Sequence, residues 1–302
     1  MTNANQGNAP IVVGVDSSEA SLRAVRWAAN TAAKHHAPLH LVHAAGFPDL
    51  YVGSNVPPPE AFKEELREKA WESLHQAKRV AEQIGDIQVE ARFETDPPVP
   101  YLIHASRTAR MIVLGSSGHT GFAGMMLGSV TLSLVSHARC PVVSIRDDYD
   151  EIAISDDRPV VVGVDGSPLS ERALGYAFDE ASFRGVELVA VHTWSDADSE
   201  FAFSQARLYY DWEPLRDTEE RRLAERLAGW PEKYPDVHVR RVVVRDRPRH
   251  ELLEWSKKAQ LVVIGSRGRG GFRGMLLGST SQALTHNAHC PVMIARPEPD
   301  ED

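Results

Sequence analysis

The chain has 302 residues, 42% of them hydrophobic and 25% charged, with 33 basic against 42 acidic side chains and a net charge of −9. That balance is globular, long enough for two domains that each bury a core, and acidic enough to argue against nucleic acid as the main partner. The longest apolar runs, such as PVVVGV and LVVIG, fall far short of the roughly 18 residues that span a bilayer, and the opening MTNANQGNAP has neither a basic start nor an apolar core. We therefore read no signal peptide and no membrane span, and expect a cytoplasmic protein.

In chain order, the first half alternates strand-like and helix-like patterns. IVVGV is a buried strand, and SEASLRAVRWAANTAAKHH follows, whose Leu22, Val25, Trp27 and Ala29 suggest an amphipathic helix. LHLVHA is a second strand, Glu60–Gln83 a helix, and IQVEARF a third strand. A helix near Pro100–Thr108, the strand MIVLG, a glycine-rich loop, a helix after Gly128 and the strand VVSI complete the half. Continuous apolar strands separated by helices predict a parallel sheet with crossovers on both faces, an α/β doubly wound fold of five strands.

The second half repeats the first. PIVVGVDSSEASLRAVRWAA is answered by PVVVGVDGSPLSERALGYAF, and HARCPVVSIR by HNAHCPVMIAR. A repeat of this length is a duplicated domain rather than a solenoid. We expect one domain over residues 1–146, a linker over 147–158 within the acidic RDDYDEIAISDDR, and a second domain over 159–302. The two cysteines, Cys140 and Cys290, precede matching strands. Too few for a disulfide scaffold, they read as reduced core thiols. His137 and His286 near them give two ligands each, too few for zinc, and no metal site is expected.

The loop GSSGHTGFAGMMLGSV begins at Gly115, and GSRGRGGFRGMLLGST begins at Gly265. Both read Gly, two residues, Gly, nine residues, Gly-Ser. Glycine permits positive φ and lets a ligand touch backbone amides. A loop with Gly115, Gly118 and Gly121 that ends in Gly128 and Ser129 at a helix start turns several N–H groups toward one point, and the guest that suits it is a phosphate. Ser129 and Ser279 read both as N-caps and as phosphate contacts. Asp16 and Asp165 end the first strand of each half, where ligands of such sheets bind. They read as ligand contacts, with Ser17 and Ser167 beside them available to cap the next helix. No Gly-Lys-Ser/Thr loop and no G-x-G-x-x-G after the first strand is present.

With this spacing doubled, the chain resembles a tandem-domain universal stress protein of the ATP-binding kind. The resemblance implies a Rossmann-like fold of the adenine nucleotide alpha hydrolase type and one ATP site per domain, with Mg2+ as an optional companion. The phosphates would meet Gly115, Gly118, Gly128, Ser129 and Val130 in the first site, and Gly265, Gly268, Gly278, Ser279 and Thr280 in the second. Asp16 and Asp165 would take the nucleoside end, and Val42 and Val191 the adenine edge. Strand-end Gly14 and Gly163 join the candidate set, with the loop residues Ser116, Ser117, His119, Thr120, Gly121, Ser266, Arg267, Arg269, Gly270 and Gly271.

Arg267, Arg269 and Arg273 stand where the first loop has Ser117, His119 and Ala123. The forked guanidinium suits phosphate oxygens, so the second site should bind more tightly. Nothing recommends itself as a positioned nucleophile or base, and His35, His36 and His104 read as surface residues of helices. No catalytic residue is assigned, and hydrolysis should be slow at most. The expected role is a nucleotide-dependent stress or growth regulator. The alternatives are a slow ATPase or another adenine-nucleotide-processing enzyme on the same fold, and an interaction module whose glycines serve packing alone.

The final strands CPVVSI and CPVMIA should be edge strands that cover one another in an intramolecular pseudo-dimer, with a homodimer as a further possibility. An isolated first half, residues 1–146, should then self-associate. Light scattering checks this, and a soluble monomer at high micromolar concentration would refute the pseudo-dimer.

Overall fold

Helix α1 shows how these segments define their own ends. Ser18 caps it, its hydroxyl accepting a 3.1 Å hydrogen bond from the Ser21 amide, and His36 ends it in the left-handed region at φ 50°. Between them Leu22, Val25, Trp27 and Ala29 are buried. A computed structural model describes residues 9–46, 59–116, 128–146, 149, 157–194, 213–269 and 277–297. The chain divides into one unit of Met1–Glu151 with Arg296–Asp302 and another of Ile152–Ala295.

The first unit runs β1 (Ile11–Gly14), α1 (Glu19–His35), β2 (Leu39–Ala44), α2 (Glu60–Glu82), β3 (Val89–Glu94), α3 (Pro98–Ala105), β4 (Met111–Gly115), α4 (Ser129–His137) and β5 (Val142–Ile145). Its strands lie in the order β3-β2-β1-β4-β5, every pairing parallel. In register, Ile11 pairs with Leu39 on one side and Met111 on the other. The chain winds one way from β1 to β3, then crosses back to β4. Right-handed crossovers therefore place α1 and α2 on one face and α3 and α4 on the other. The contacts agree, since α1 packs on α2 and α3 on α4. Covered on both faces, Ile11, Val13, Leu39, Leu41, Ile112 and Val113 lose all solvent exposure, each burial contributing about 1.5–3 kcal/mol.

The second unit repeats the plan with β6 (Val160–Gly163), α5 (Pro168–Arg184), β7 (Leu188–Trp194), α6 (Glu213–Leu227), α7 (Trp230–Lys233), β8 (Val239–Arg245), α8 (Pro248–Ser256), β9 (Leu261–Gly265), α9 (Ser279–Asn287) and β10 (Val292–Ala295). Its order is β8-β7-β6-β9-β10, again parallel. Where the first unit has the single long α2, this one breaks after α6. Gly229 takes φ 83°, and Pro231 follows within the short α7. The rings of Phe178 and Trp230 stack across the break at 5.0 Å, with Tyr234 5.3 Å from Phe178.

Cys140 and Cys290 are free and buried. Burial pushes the Cys140 thiol up to about 12 and raises that of Cys290 as well.

Three expectations need correction, and Gly14 and Gly163 gain a packing role. Ser129 and Ser279 are the first helical residues of α4 and α9, and the caps are Gly128 and Gly278, with no side-chain cap bond. The cap of α1 is Ser18 rather than Ser17, because the Asp16 carboxylate turns the chain through the Ser18 amide. His35 is buried, its Nδ1 3.1 Å from Nη1 of Arg110, while His36 and His104 are exposed. Gly14 and Gly163 are core packing positions. A Cβ on Gly163 would lie 3.0 Å from Leu252 and 3.3 Å from Ile264, and one on Gly14 would strike Leu114.

Gly115 and Gly265, the last residues of β4 and β9, lie under the helices. A Cβ on Gly115 would stand 2.8 Å from that of Ala20, and one on Gly265 2.9 Å from that of Leu169. The nearest obstacles include backbone, so the helix itself would have to move. Gly265→Ala should destabilise the second unit by about 1–3 kcal/mol, read as a lowered midpoint in urea unfolding. An unchanged midpoint would mean that α5 withdraws without cost.

Candidate functional site

The winding reverses between β1 and β4, and between β6 and β9, which opens a crevice at the carboxyl ends of those strands. Asp16 and Asp165 enter it from β1 and β6, and the glycine loops from β4 and β9.

The ends of each loop are pinned in the same way in both units. The Ser116 amide donates to the Ile145 carbonyl at 2.7 Å, and the Gly128 amide returns to the Ser116 carbonyl at 2.7 Å. In the second unit Ser266 donates to Ala295 at 2.9 Å, and Gly278 to Ser266 at 2.8 Å. Hydroxyls of the first helical turn close the frame, Thr131 to the Gly115 carbonyl at 2.9 Å and Ser281 to that of Gly265 at 2.8 Å. These two residues escaped the sequence reading, although a hydroxyl follows each Gly-Ser at the same distance. The Ser266 hydroxyl is buried with no hydrogen-bond partner among the described residues.

Asp165 joins the first crossover to the loop. Its Oδ1 accepts from the Ser167 amide at 2.9 Å and hydroxyl at 2.6 Å, and its Oδ2 accepts from the Arg269 amide at 3.0 Å. Gly268 is required beside it, since a Cβ there would overlap Asp165 Oδ2. Burial pushes the Asp165 carboxyl up, but the Ser167 and Arg269 donors outweigh it and hold the group below the usual aspartate range. Asp16 makes the matching turn, accepting from the Ser18 amide at 2.9 Å and from the Ser18 hydroxyl.

Among the remaining candidates, Ser129 and Ser279 are exposed at the starts of α4 and α9, with Val130 and Thr280 next along each helix. With glycine at each cap, the first amides of these helices have no side-chain acceptor from the cap residue. Val42 and Val191 are buried, and their carbonyls accept from the Val15 and Val164 amides at 2.8 and 2.9 Å. The strands that carry them run on to Ala44 and Trp194. Ser117, Gly118, His119, Thr120, Gly121, Gly270 and Gly271, with Ala123 and Arg273, lie outside the described residues.

A cavity of about 310 Å³ opens at this end of the second unit, walled by Val164, Gly166, His192, Arg222, Arg226 and Arg269 among others. At its base His192 reaches the Val164 carbonyl with Nδ1 and Glu219 Oε2 with Nε2, each at 2.8 Å. A carbonyl only accepts, so Nδ1 carries a proton. The contact with Glu219 then needs a second proton, held as an imidazolium–carboxylate pair or on the carboxyl. Glu219 Oε1 also accepts from Arg222 at 2.5 Å. The sequence reading passed over this group, although a histidine at the same place in both second strands, LVHA and AVHT, was the available signal. Among the described residues, no carboxylate hydrogen-bonds the first-unit counterpart, His43. The buried residues of α2 are Ala70, Ser73, Leu74, Ala77 and Ala81, and burial lowers the His43 pKa against the opposing pull of Asp16.

The depressed Asp165 pKa has a sign that can be tested. An acid whose folded pKa lies below its unfolded value, about 3.9, stabilises the fold above that value, and the contribution disappears as pH falls through the folded one. Asp165→Asn should therefore lower the urea midpoint clearly at pH 7 and much less at pH 3. An equal loss at both would remove the ionised carboxylate from the explanation.

The chain was compared with known proteins. The model of the "Universal stress protein family" matches residues 7–146 and again 158–296. A universal stress protein of Mycobacterium tuberculosis is 45% identical over 290 residues, covering 95% of this chain and 96% of the relative. One of Mycolicibacterium smegmatis is 44% identical over 291 residues, covering 95% and 97%. Among solved structures, the crystal structure of a universal stress protein from Archaeoglobus fulgidus matches with a TM-score of 0.68 and 25% identity, over 95% of this chain and 98% of that one. Two tandem family domains account for nearly the whole sequence, and the chain belongs to the universal stress protein family.

Proposed function

We propose that each unit binds one adenine nucleotide, ATP, in the crevice at the carboxyl ends of its strands, and that the protein acts in the cytoplasm as a nucleotide-dependent regulator of the stress response. The observation that carries this reading is the glycine cap. Helices α1 and α5 are capped by serine side chains, whereas α4 and α9, which face the loops, have Gly128 and Gly278 in that position with no side-chain bond. Their leading amides and partial positive charge suit an anion that comes from outside the chain. The same pinned frame around both loops supports one site per unit.

ATP would lay its phosphates on the first turn of α4 or α9, with Ser129 or Ser279 at hand and Mg2+ carried on the phosphate oxygens. The nucleoside would extend past Asp16 or Asp165 toward the ends of β2 or β7, where the second unit has its cavity. Packing alone accounts for Gly14, Gly115, Gly163 and Gly265, whose missing Cβ atoms face the core and the helices. At the two caps the missing side chain leaves the leading amides to an outside acceptor, at a cost of only about a few tenths of a kcal/mol relative to serine or aspartate. Hydrolysis, on this reading, is slow, and the nucleotide is a ligand rather than a fuel.

Calorimetry with ATP should find two sites per chain, with GTP weaker at both. Gly268→Val should abolish one site and leave the other, because the side chain would occupy the place of the Asp165 contact and the backbone approach. No binding at millimolar ATP would overturn the proposal.

A further inference from the structure

The second unit carries a cluster of cations beside the place of the 5′-phosphates. Arg226 of α6 and Arg269 of the glycine loop converge over Gly166. The Cβ position of Gly166 lies 2.8 Å from Arg269 Nη2, and 3.3 and 3.4 Å from Nε and Nη2 of Arg226. Arg222, one helical turn before Arg226, lines the same cavity. Two guanidinium groups from different elements are thus held close together, where like charges repel. The α6 arginines are matched by carboxylates: Glu171 lies 3.4 Å from Arg226, Glu219 accepts from Arg222, and Glu225 shares the cavity wall, whereas the Arg269 guanidinium makes no ion pair among the described residues. The Asp165 carboxylate meets the Arg269 backbone amide.

The sheet order gives the cluster its place. β6 lies between β9 and β7. The loop that leads to α9 leaves from β9, whereas α6 packs on β7 and β8. The α6 arginines therefore stand across Asp165 and Gly166 from the N-terminus of α9. A nucleotide with its 5′-phosphates on α9 would bring its ribose, not its phosphate chain, to Arg222 and Arg226.

We infer that Arg222, Arg226 and Arg269 form a second anion subsite, which takes a phosphate on the ribose, so that the second unit prefers adenine nucleotides phosphorylated at the 2′ or 3′ position. The inference rests on the nucleotide reading above. Forked guanidinium groups from two elements suit the oxygens of one phosphate, and such charge-assisted bonds are the stronger kind. In the first unit Ser17 stands where the second has Gly166, so the bare backbone over which Arg226 and Arg269 converge is not repeated there.

Calorimetry on the full chain with AMP, adenosine 2′,5′-bisphosphate and adenosine 3′,5′-bisphosphate tests it. One site of the two should bind one of the bisphosphates about tenfold or more tightly than AMP. Arg226→Gln should remove that gain, lowering bisphosphate affinity by a much larger factor than AMP affinity, and Arg226→Lys should keep only part of it. Arg222 and Arg226 are half exposed, so the variants should fold, and an unchanged unfolding midpoint confirms it. AMP binding without any bisphosphate gain, or a gain that survives the double variant Arg222→Gln with Arg226→Gln, overturns the subsite alone. Failure of all three nucleotides to bind would overturn the nucleotide reading and the subsite with it.

Discussion

The closeness of α1 to β4, and of α5 to β9, sets the position of nearly everything else in each unit. With no Cβ at Gly115 or Gly265, the first turn of the helix lies directly on the end of the strand. The capping serine and the aspartate before it are thereby brought beside the start of the glycine loop. In the second unit this lets Asp165 take the Arg269 amide while it orders its own turn through Ser167. A helix held further out would leave the carboxylate short of the loop. Glycine at these two positions thus acts on the site through packing.

Much of the architecture was legible in the sequence, because each buried strand is a continuous apolar run. IVVG, MIVLG and their repeats in the second half became β1, β4, β6 and β9 with almost the expected ends. The site was legible as a loop but less so as geometry. Gly-Ser before a helix suggests a serine cap, yet the helix starts one residue early and makes glycine the cap. Backbone hydrogen bonding decides that, and spacing does not reveal it. Nor could spacing show that the carbonyls of Val42 and Val191 already serve the neighbouring first strand. The His192–Glu219 contact joins a strand to a helix across a long stretch of chain, and only the folded topology brings the two together.

The duplicated units kept their strands and changed the helix that follows the second one. In the first, α2 is a single helix of 23 residues with a small-residue buried face. In the second, Gly229 and the stacked Phe178, Trp230 and Tyr234 turn the chain early, and α6 brings a buried glutamate and two arginines to the cavity. The shared parts, loop frame and helix caps, are the ones a common ligand would need. The divergent helix stands where two sites could come to differ.

The cysteines give the chemistry of the chain a boundary. A thiol reacts with peroxides or disulfides as its thiolate. With the Cys140 pKa near 12, and Cys290 likewise raised by burial, almost no thiolate exists at neutral pH in either unit. These are the only two cysteines in the sequence, so sulfur in this protein acts as an apolar core atom. Buried and held as thiols, they leave the folded chain little thiolate for an oxidant to attack at the two final strands.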